Sequence, residues 1–378
     1  MHINGLYSKY PEYTGFPQYY QKAKGNTIWI DGRNYLDMSY SGIGSNILGY
    51  ADPKVNRAVK RIINKGSMST INCEIEEELS GRLLKSNPDF KNTRFFKTGG
   101  EAVVAALTLS GKKVLQCGYS GWHVENLNRE TFEYNNIPDF MRKIGEYNPD
   151  CVITEVIRNH KPDEAFFKTI RKECDKRGII LIFDEITSGF RFRNNGYYKR
   201  LGVIPDCVIY GKAISNGYPF SCILFNNKVL QKGRDKFISS TYFTEGIGTA
   251  AALETIRQLE SKDFSYLEIL GIMVMDLWQF YAKRNNIDID TNEVNQLSHF
   301  DFIGEKRLEY RTIFVNKMLE HGILGNTSFY PNFKHTLNDV SRYEEACESA
   351  FALIAEFRGN PRKIIKTSII KDRPVVIK

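Results

Sequence analysis

The sequence predicts an α/β protein with a mostly parallel central sheet, helices on both faces, and a smaller α+β domain beside it. Two observations carry this. From Arg94 onward, short β-rich runs alternate with stretches of helical periodicity, which is the order a parallel sheet requires because each crossover needs a connecting helix. The run IILIFDE also sets five apolar residues in a row before Asp184 and Glu185, as expected of a central strand buried on both faces.

The chain before Arg94 differs from the rest. It holds an extended piece, TIWIDGRNYLDMS, and then helical patterns at 53–64 and 74–84. Strands are expected at 94–97, 113–117, 151–156, 179–184, 207–210 and 221–225, with covering helices at 101–109 and 164–177 where apolar residues recur at helical spacing. A long helix runs from 249 to 259, and helical patterns continue beyond Asp263 to a last one near 342–358. The expected division is an arm and part of a small domain over 1–50, a large α/β domain over 51–250, and the rest of the small domain over 251–378.

Composition narrows the function classes. The net charge of +8 is spread among 44 acidic residues, which suits a phosphorylated ligand better than a nucleic acid. No run approaches the ~20 apolar residues that span a bilayer, and MHINGLYSKY has neither a basic start nor an apolar signal core. A cytoplasmic protein with no membrane partner is expected. The seven cysteines are odd in number and never form a CxxC pair, so buried free thiols are expected rather than disulfides or metal ligands.

Chemistry concentrates at the predicted strand ends. Asp184 and Glu185 end a buried strand at the edge where open α/β sheets bind ligands. A phosphate-loop ATPase would also end a strand this way, but it needs G-x-x-x-x-G-K-[ST]. Gly211-Lys212 is followed by Ala213, and Gly111-Lys112 by Lys113, so that motif is absent. A nicotinamide fingerprint fails too, because SGIGSNILG has Ile47 where the third glycine should stand.

In PDCVIYGKAISNGYPF, Lys212 follows another short apolar strand, at the same edge as Asp184. A lysine able to form an imine and a carboxylate able to keep a pyridine nitrogen protonated are what pyridoxal 5′-phosphate (PLP) chemistry needs. KTGGEAVVAALTLS adds Gly99 and Gly100 before a helix N-terminus, a place where backbone N–H groups can cup a phosphate. GYSGWH offers Tyr119 as an aromatic cover for the ring, with Trp122 and His123 nearby.

In this order the segments resemble the class III aminotransferases, and within them the glutamate-1-semialdehyde aminomutase-like branch. The likeness begins at IDGRNYLDMSYSGIGSNILGYADPKV, continues through TGGEA, GYSGWH, FDEITSGFR, PDCVIYGKAISNG and SSTYFTEGIGTAAALETI, and ends near HTLNDV. The resemblance implies the fold type I architecture of PLP-dependent transferases, with Lys212 as the Schiff-base lysine and Asp184 on the pyridine nitrogen. It further implies Ile186 on one ring face and Tyr119 on the other, Gly99 and Gly100 on the phosphate, and Thr241 reaching in from the second subunit of a homodimer with composite active sites. Glu155 matches a family position near the cofactor.

Departures from the family pattern fall at Thr98-Gly99-Gly100, at Val156, at Ser215-Asn216-Gly217, at Glu245-Gly246 and in a shortened stretch around 263–307. Of these, Ser215-Asn216, Glu245-Gly246 and the shortened stretch are expected to border the substrate rather than the ring. The resulting expectation is transfer of an amino group from a donor such as glutamate to an aldehyde or ketone, of sugar type or phosphorylated. The alternatives are intramolecular glutamate-1-semialdehyde 2,1-aminomutase chemistry and, from another class, a non-catalytic PLP-fold binding protein.

Overall fold

The computed structural model describes residues 10–121 and 129–372. In chain order its strands are β1 (Lys22–Lys24), β2 (Thr27–Ile30), β3 (Arg33–Met38), β4 (Asn92–Phe96), β5 (Val114–Cys117), β6 (Arg129–Thr131) and β7 (Cys151–Glu155), followed by β8 (Ile180–Glu185), β9 (Cys207–Tyr210), β10 (Ser221–Phe225), β11 (Ile289–Thr291), β12 (Ser298–Phe302), β13 (Ile323–Gly325) and β14 (Ser328–Phe329). Two compact units result. One is Pro53–Asp263; the other takes the described residues up to Asp52 and those from Phe264 on.

In the Pro53–Asp263 unit seven strands form one sheet in the order β4-β10-β9-β8-β7-β5-β6. Only β10 runs against its neighbours. Every residue of β7, β8, β9 and β10 is buried, which is why these strands read as unbroken apolar runs and not as alternating ones. Ile153, Ile182, Ile209 and Ile223 share a core cluster with Ala102, Ala106 and Leu107 of the helix Gly99–Ser110. Each such aliphatic side chain contributes roughly 1.5–3 kcal/mol when fully buried.

Helix ends in this unit are set locally. Asp163 caps Glu164–Arg177 by accepting from Ala165 N at 2.9 Å, and Gly178 ends that helix at φ +70°, a left-handed value that glycine adopts without strain. The strand order also fixes where a ligand can enter. The chain leaves β5 toward β6 on one side and leaves β7 toward β8 on the other, so β5 and β7 flank a switch point with their C-terminal ends side by side.

The second unit is α+β. Its sheets are β1-β2-β3-β13 and β11-β12-β14. The helices Ser265–Arg284, Arg307–Glu320 and Leu337–Glu356 contribute to an aromatic core that includes Trp278, Phe300, Phe314, Tyr343 and Phe351. Trp278 Nε1 donates to the Tyr343 hydroxyl at 2.9 Å, which satisfies a polar group inside that core. Here the sequence reading needs correction: the stretch beyond Asp263 is not only helical but carries β11 to β14. Each has two to five residues, too few for a period of two to stand out. The three-residue strands β1 and β6 escape notice for the same reason.

All seven cysteines are free, six of them buried and Cys73 half-buried. Among the described residues no helix is long and apolar enough to cross a membrane.

Asp206 ties the starts of β8 and β9 to the end of the antiparallel β10. Its carboxylate accepts from Leu181 N at 2.9 Å, from Arg171 Nη1 at 3.0 Å and from Asn226 Nδ2 at 2.9 Å. Removing one member of a buried ionic group strands its partner, at a cost of roughly 3–5 kcal/mol. Asp206→Ala should therefore lower the midpoint of chemical denaturation of the Pro53–Asp263 unit markedly. A midpoint within error of wild type would refute that role.

Candidate active site

Two neighbouring strands deliver the central groups. β8 and β9 pair in parallel with Asp184 opposite Ile209, and Lys212 follows two residues after the end of β9. Side chains alternate along a strand, so Asp184 and Glu185 leave β8 on opposite faces. Asp184 Oδ1 accepts from Ile186 N at 3.0 Å. Burial first, and then the nearby Glu155 carboxylate, push Asp184 up to about 7, opposed by the Ile186 N–H and the Lys212 amine.

Glu185 is consumed by structure. Its carboxylate accepts the backbone N–H groups of Tyr197 and Tyr198 and the Ser188 hydroxyl.

Lys212 opens a 3₁₀ turn, Lys212–Ser215, with φ +45°, a strained value for a residue with a side chain. Its Nζ donates to Thr187 Oγ1 at 2.8 Å. Burial, and then the positive charge of Arg158, pull its pKa down to about 8, against the pull of Glu155 and Asp184. An amine with a depressed pKa keeps more of its nucleophilic neutral form near neutrality.

Ile186 lies between two glycines. A Cβ on Gly99 would come within 2.8 Å of Ile186 Cδ1, and one on Gly211 within 3.3 Å of Ile186 Cγ2. Gly99 and Gly100 begin the helix Gly99–Ser110, whose N-cap is Thr98: the Thr98 hydroxyl accepts from Glu101 N at 3.3 Å while Glu101 Oε2 accepts from Thr98 N at 2.9 Å. Tyr119, just after β5, is held by a bond from its backbone N–H to Glu155 Oε2 at 2.8 Å. Glu155 closes β7, so the predicted residues Asp184, Lys212, Glu155, Tyr119, Ile186 and Gly99 gather at one end of one sheet.

Trp122 and His123 lie outside the described residues. Thr241 stands on an exposed turn. The departures at Ser215-Asn216-Gly217 and Glu245-Gly246 do backbone work: Ser215 Oγ donates to Tyr218 O at 2.6 Å in a left-handed turn at Asn216, and Glu245 caps the helix Gly246–Leu259 while pairing with Lys97 Nζ at 2.8 Å.

Sequence reasoning also missed Thr187 and Arg158. The first was signalled only by lying three residues after Asp184, and the second by being the first charged residue after Val156 and Ile157.

Lys212, Asp184 and the tight Gly99 backbone make a donor set that fits PLP: an amine, a buried carboxylate and a close-approach helix start, with no side chain occupying the Gly99 position. Known proteins agree. The model of the family "Aminotransferase class-III" matches residues 9–118 and 152–269, more than half of the chain. An aminopentol aminotransferase of Sphingopyxis macrogoltabida is 25% identical over 372 residues, covering 90% of this chain and 87% of that protein. A glutamate-1-semialdehyde 2,1-aminomutase of Methanobrevibacter smithii is 27% identical over 409 residues, covering 94% and 96%. In fold, the chain is similar to the PLP internal aldimine form of the Sphingopyxis sp. MTA144 FumI protein, with a TM-score of 0.86 at 23% identity over 97% of this chain and 95% of that one.

The raised Asp184 pKa has a consequence for stability. The folded chain holds a proton that the unfolded chain gives up near pH 4, so on this group's account stability falls as pH rises from about 4 to about 7. Asp184→Asn has no charge to bury. Freed of ligands, it should denature at a higher temperature than wild type at about pH 8, and the gain should shrink on acidification and vanish only below about pH 4. A gain that grows on acidification would contradict the assignment.

Proposed function

Since the chain belongs to the class III aminotransferase family, whose cofactor is PLP, we propose that it transfers an amino group from a donor such as glutamate to an aldehyde or ketone, with Lys212 and Asp184 as its central groups. The observation that carries this reading is the buried amine and carboxylate at the ends of β8 and β9, the amine held by Thr187 and depressed to about 8.

When bound, the cofactor supplies a conjugated ring that accepts electron density from a carbon losing its proton. Lys212 Nζ would anchor that group and, once released, carry the proton between carbons. Thr187 Oγ1 aims the amine. Asp184, kept from solvent, would hold a proton on the pyridine nitrogen. Ile186 and Tyr119 would bracket the ring, Gly99 and Gly100 would offer backbone N–H groups to the phosphate, and Glu155 would fix the Tyr119 backbone.

A homodimer with composite sites belongs to the same reading, with Thr241 serving the partner chain's phosphate. Exposed apolar side chains support it: Ile71 is 77% exposed, Phe237 91% and Tyr242 59%. Their segments adjoin, since Thr244 Oγ1 donates to Ser69 O and Gly246 N to Ser67 O, both at 2.8 Å. The aminomutase relatives favour a second reading, rearrangement within one molecule.

Stopped-flow mixing with glutamate should bleach the visible band of the bound cofactor and release 2-oxoglutarate. Lys212→Ala should lower turnover by more than about 10³-fold while the chain stays folded by circular dichroism. Turnover of glutamate-1-semialdehyde alone, with every common donor silent, would transfer the case to the aminomutase reading. Mixing inactive Lys212→Ala with inactive Thr241→Glu should restore roughly a quarter of wild-type activity by statistical pairing of chains, and no recovery would exclude sites shared across two chains.

A further inference from the structure

The segment from Ile238 to Glu245 is fastened at both ends and stands off in the middle. At its start Arg94 of β4 donates to Ile238 O. Ile238 and Phe243 both pack on the core cluster of the sheet, Phe243 meeting Phe96 edge-on with ring centroids 5.3 Å apart. Between those anchors residues 239–242 are exposed, and Phe243 N donates to Ser240 O at 3.3 Å to close the turn. Thr241 is thus carried on a short finger.

The last anchor is ionic. Lys97, the residue after β4, donates from Nζ to Glu245 O at 2.7 Å and to Glu245 Oε2 at 2.8 Å. A bond to the carbonyl restrains the backbone itself and not only the side chain. The remaining oxygen, Oε1, accepts from Ile247 N at 2.6 Å, so the carboxylate is held on two sides. With 18% and 16% of their side chains exposed, the two charges are screened less than a surface pair would be. Burial raises the pKa of Glu76 and the Lys97 charge opposes that rise, so Lys97 has two carboxylates within reach and spends its short bonds on Glu245. Lys97 also directly precedes Thr98, the cap of the helix Gly99–Ser110. One side chain therefore joins the base of a chain's own phosphate cup to the end of the segment that carries Thr241.

We infer that Lys97 is a positioning residue that, through Glu245, holds Thr241 ready for the partner chain, so that the grip on the cofactor phosphate in one subunit depends on an ion pair in the other. This rests on the composite-site reading above and deepens it. The pair works by removing freedom from the finger before the phosphate arrives, which lowers the cost of ordering it on binding.

The test uses dimers of defined composition, purified through two different affinity tags. Only a chain that keeps Lys212 gives the visible band when cofactor is added, so pairing it with a Lys212→Ala chain reports one site at a time. Lys97→Gln on the Lys212→Ala chain should weaken PLP in the reporting site by roughly 5- to 10-fold, part of what one hydrogen bond to a charged group contributes. Pyridoxal, which lacks the phosphate, should change by less than about twofold, and so should both compounds when Lys97→Gln is moved to the reporting chain. Glu245→Gln should reproduce the pattern, the double variant should lose no more than the worse single one, and Lys97→Arg should recover most of the affinity. A PLP loss that appears only with Lys97→Gln on the reporting chain, an equal loss for PLP and pyridoxal, or no loss in either placement overturns the inference. Thr241→Val on the Lys212→Ala chain separates the two levels. If it weakens PLP while Lys97→Gln does not, the inference alone fails; if it leaves PLP unchanged, the composite-site reading fails and takes the inference with it.

Discussion

Burial of the Lys212 amine and the Asp184 carboxylate at one end of a parallel sheet is the constraint on which the rest of the site depends. Each charge is costly alone in a low-dielectric surrounding, and each shifts toward its neutral form: the acid up to about 7 and the amine down to about 8. Lys212 donates to the Thr187 hydroxyl and Asp184 accepts from the Ile186 backbone. Each group thus has a partner of its own instead of being tied to the other.

That arrangement is possible because the sheet around it is rigid and dry. The runs of β7, β8 and β9 are wholly buried, and at the opposite edge Asp206, just before β9, binds Leu181 of β8, Arg171 of the helix Glu164–Arg177 and Asn226 after β10. Strained backbone and close packing also fall at the site. Lys212 sits at φ +45°, and Ile186 is pressed against the positions of Gly99 and Gly211, where a side chain on either glycine would crowd it.

Adjacent acids illustrate how position separates roles that composition cannot. Asp184 and Glu185 follow the same apolar run, yet the period of the strand sends one to the ligand edge and the other into the backbone N–H groups of Tyr197 and Tyr198. Glu155 shows the converse. One side chain reaches Tyr119 with one oxygen and Arg158 with the other, and its charge acts on Asp184 and Lys212 as well. The switch point between β5 and β7 converts these strand-end residues into a cleft.

The sequence by itself determined the α/β class, the central strands and the pairing of Lys212 with Asp184, because buried parallel strands are written as continuous apolar runs and their C-terminal ends as the residues that follow. It also marked Gly99, Tyr119, Glu155 and Ile186. It left β11 to β14 unmarked, since strands of two to five residues carry no readable period. Nor does it reveal the hydrogen bonds of Ser215 to Tyr218 O and of Glu245 to the start of the Gly246–Leu259 helix, which are visible only in space. Tertiary structure alone decided that Thr187 holds the amine, that Glu185 is spent on the backbone and that Arg158 faces the cleft. Those outcomes depend on which strand neighbours which and on the direction each side chain leaves it, and a linear pattern does not encode either.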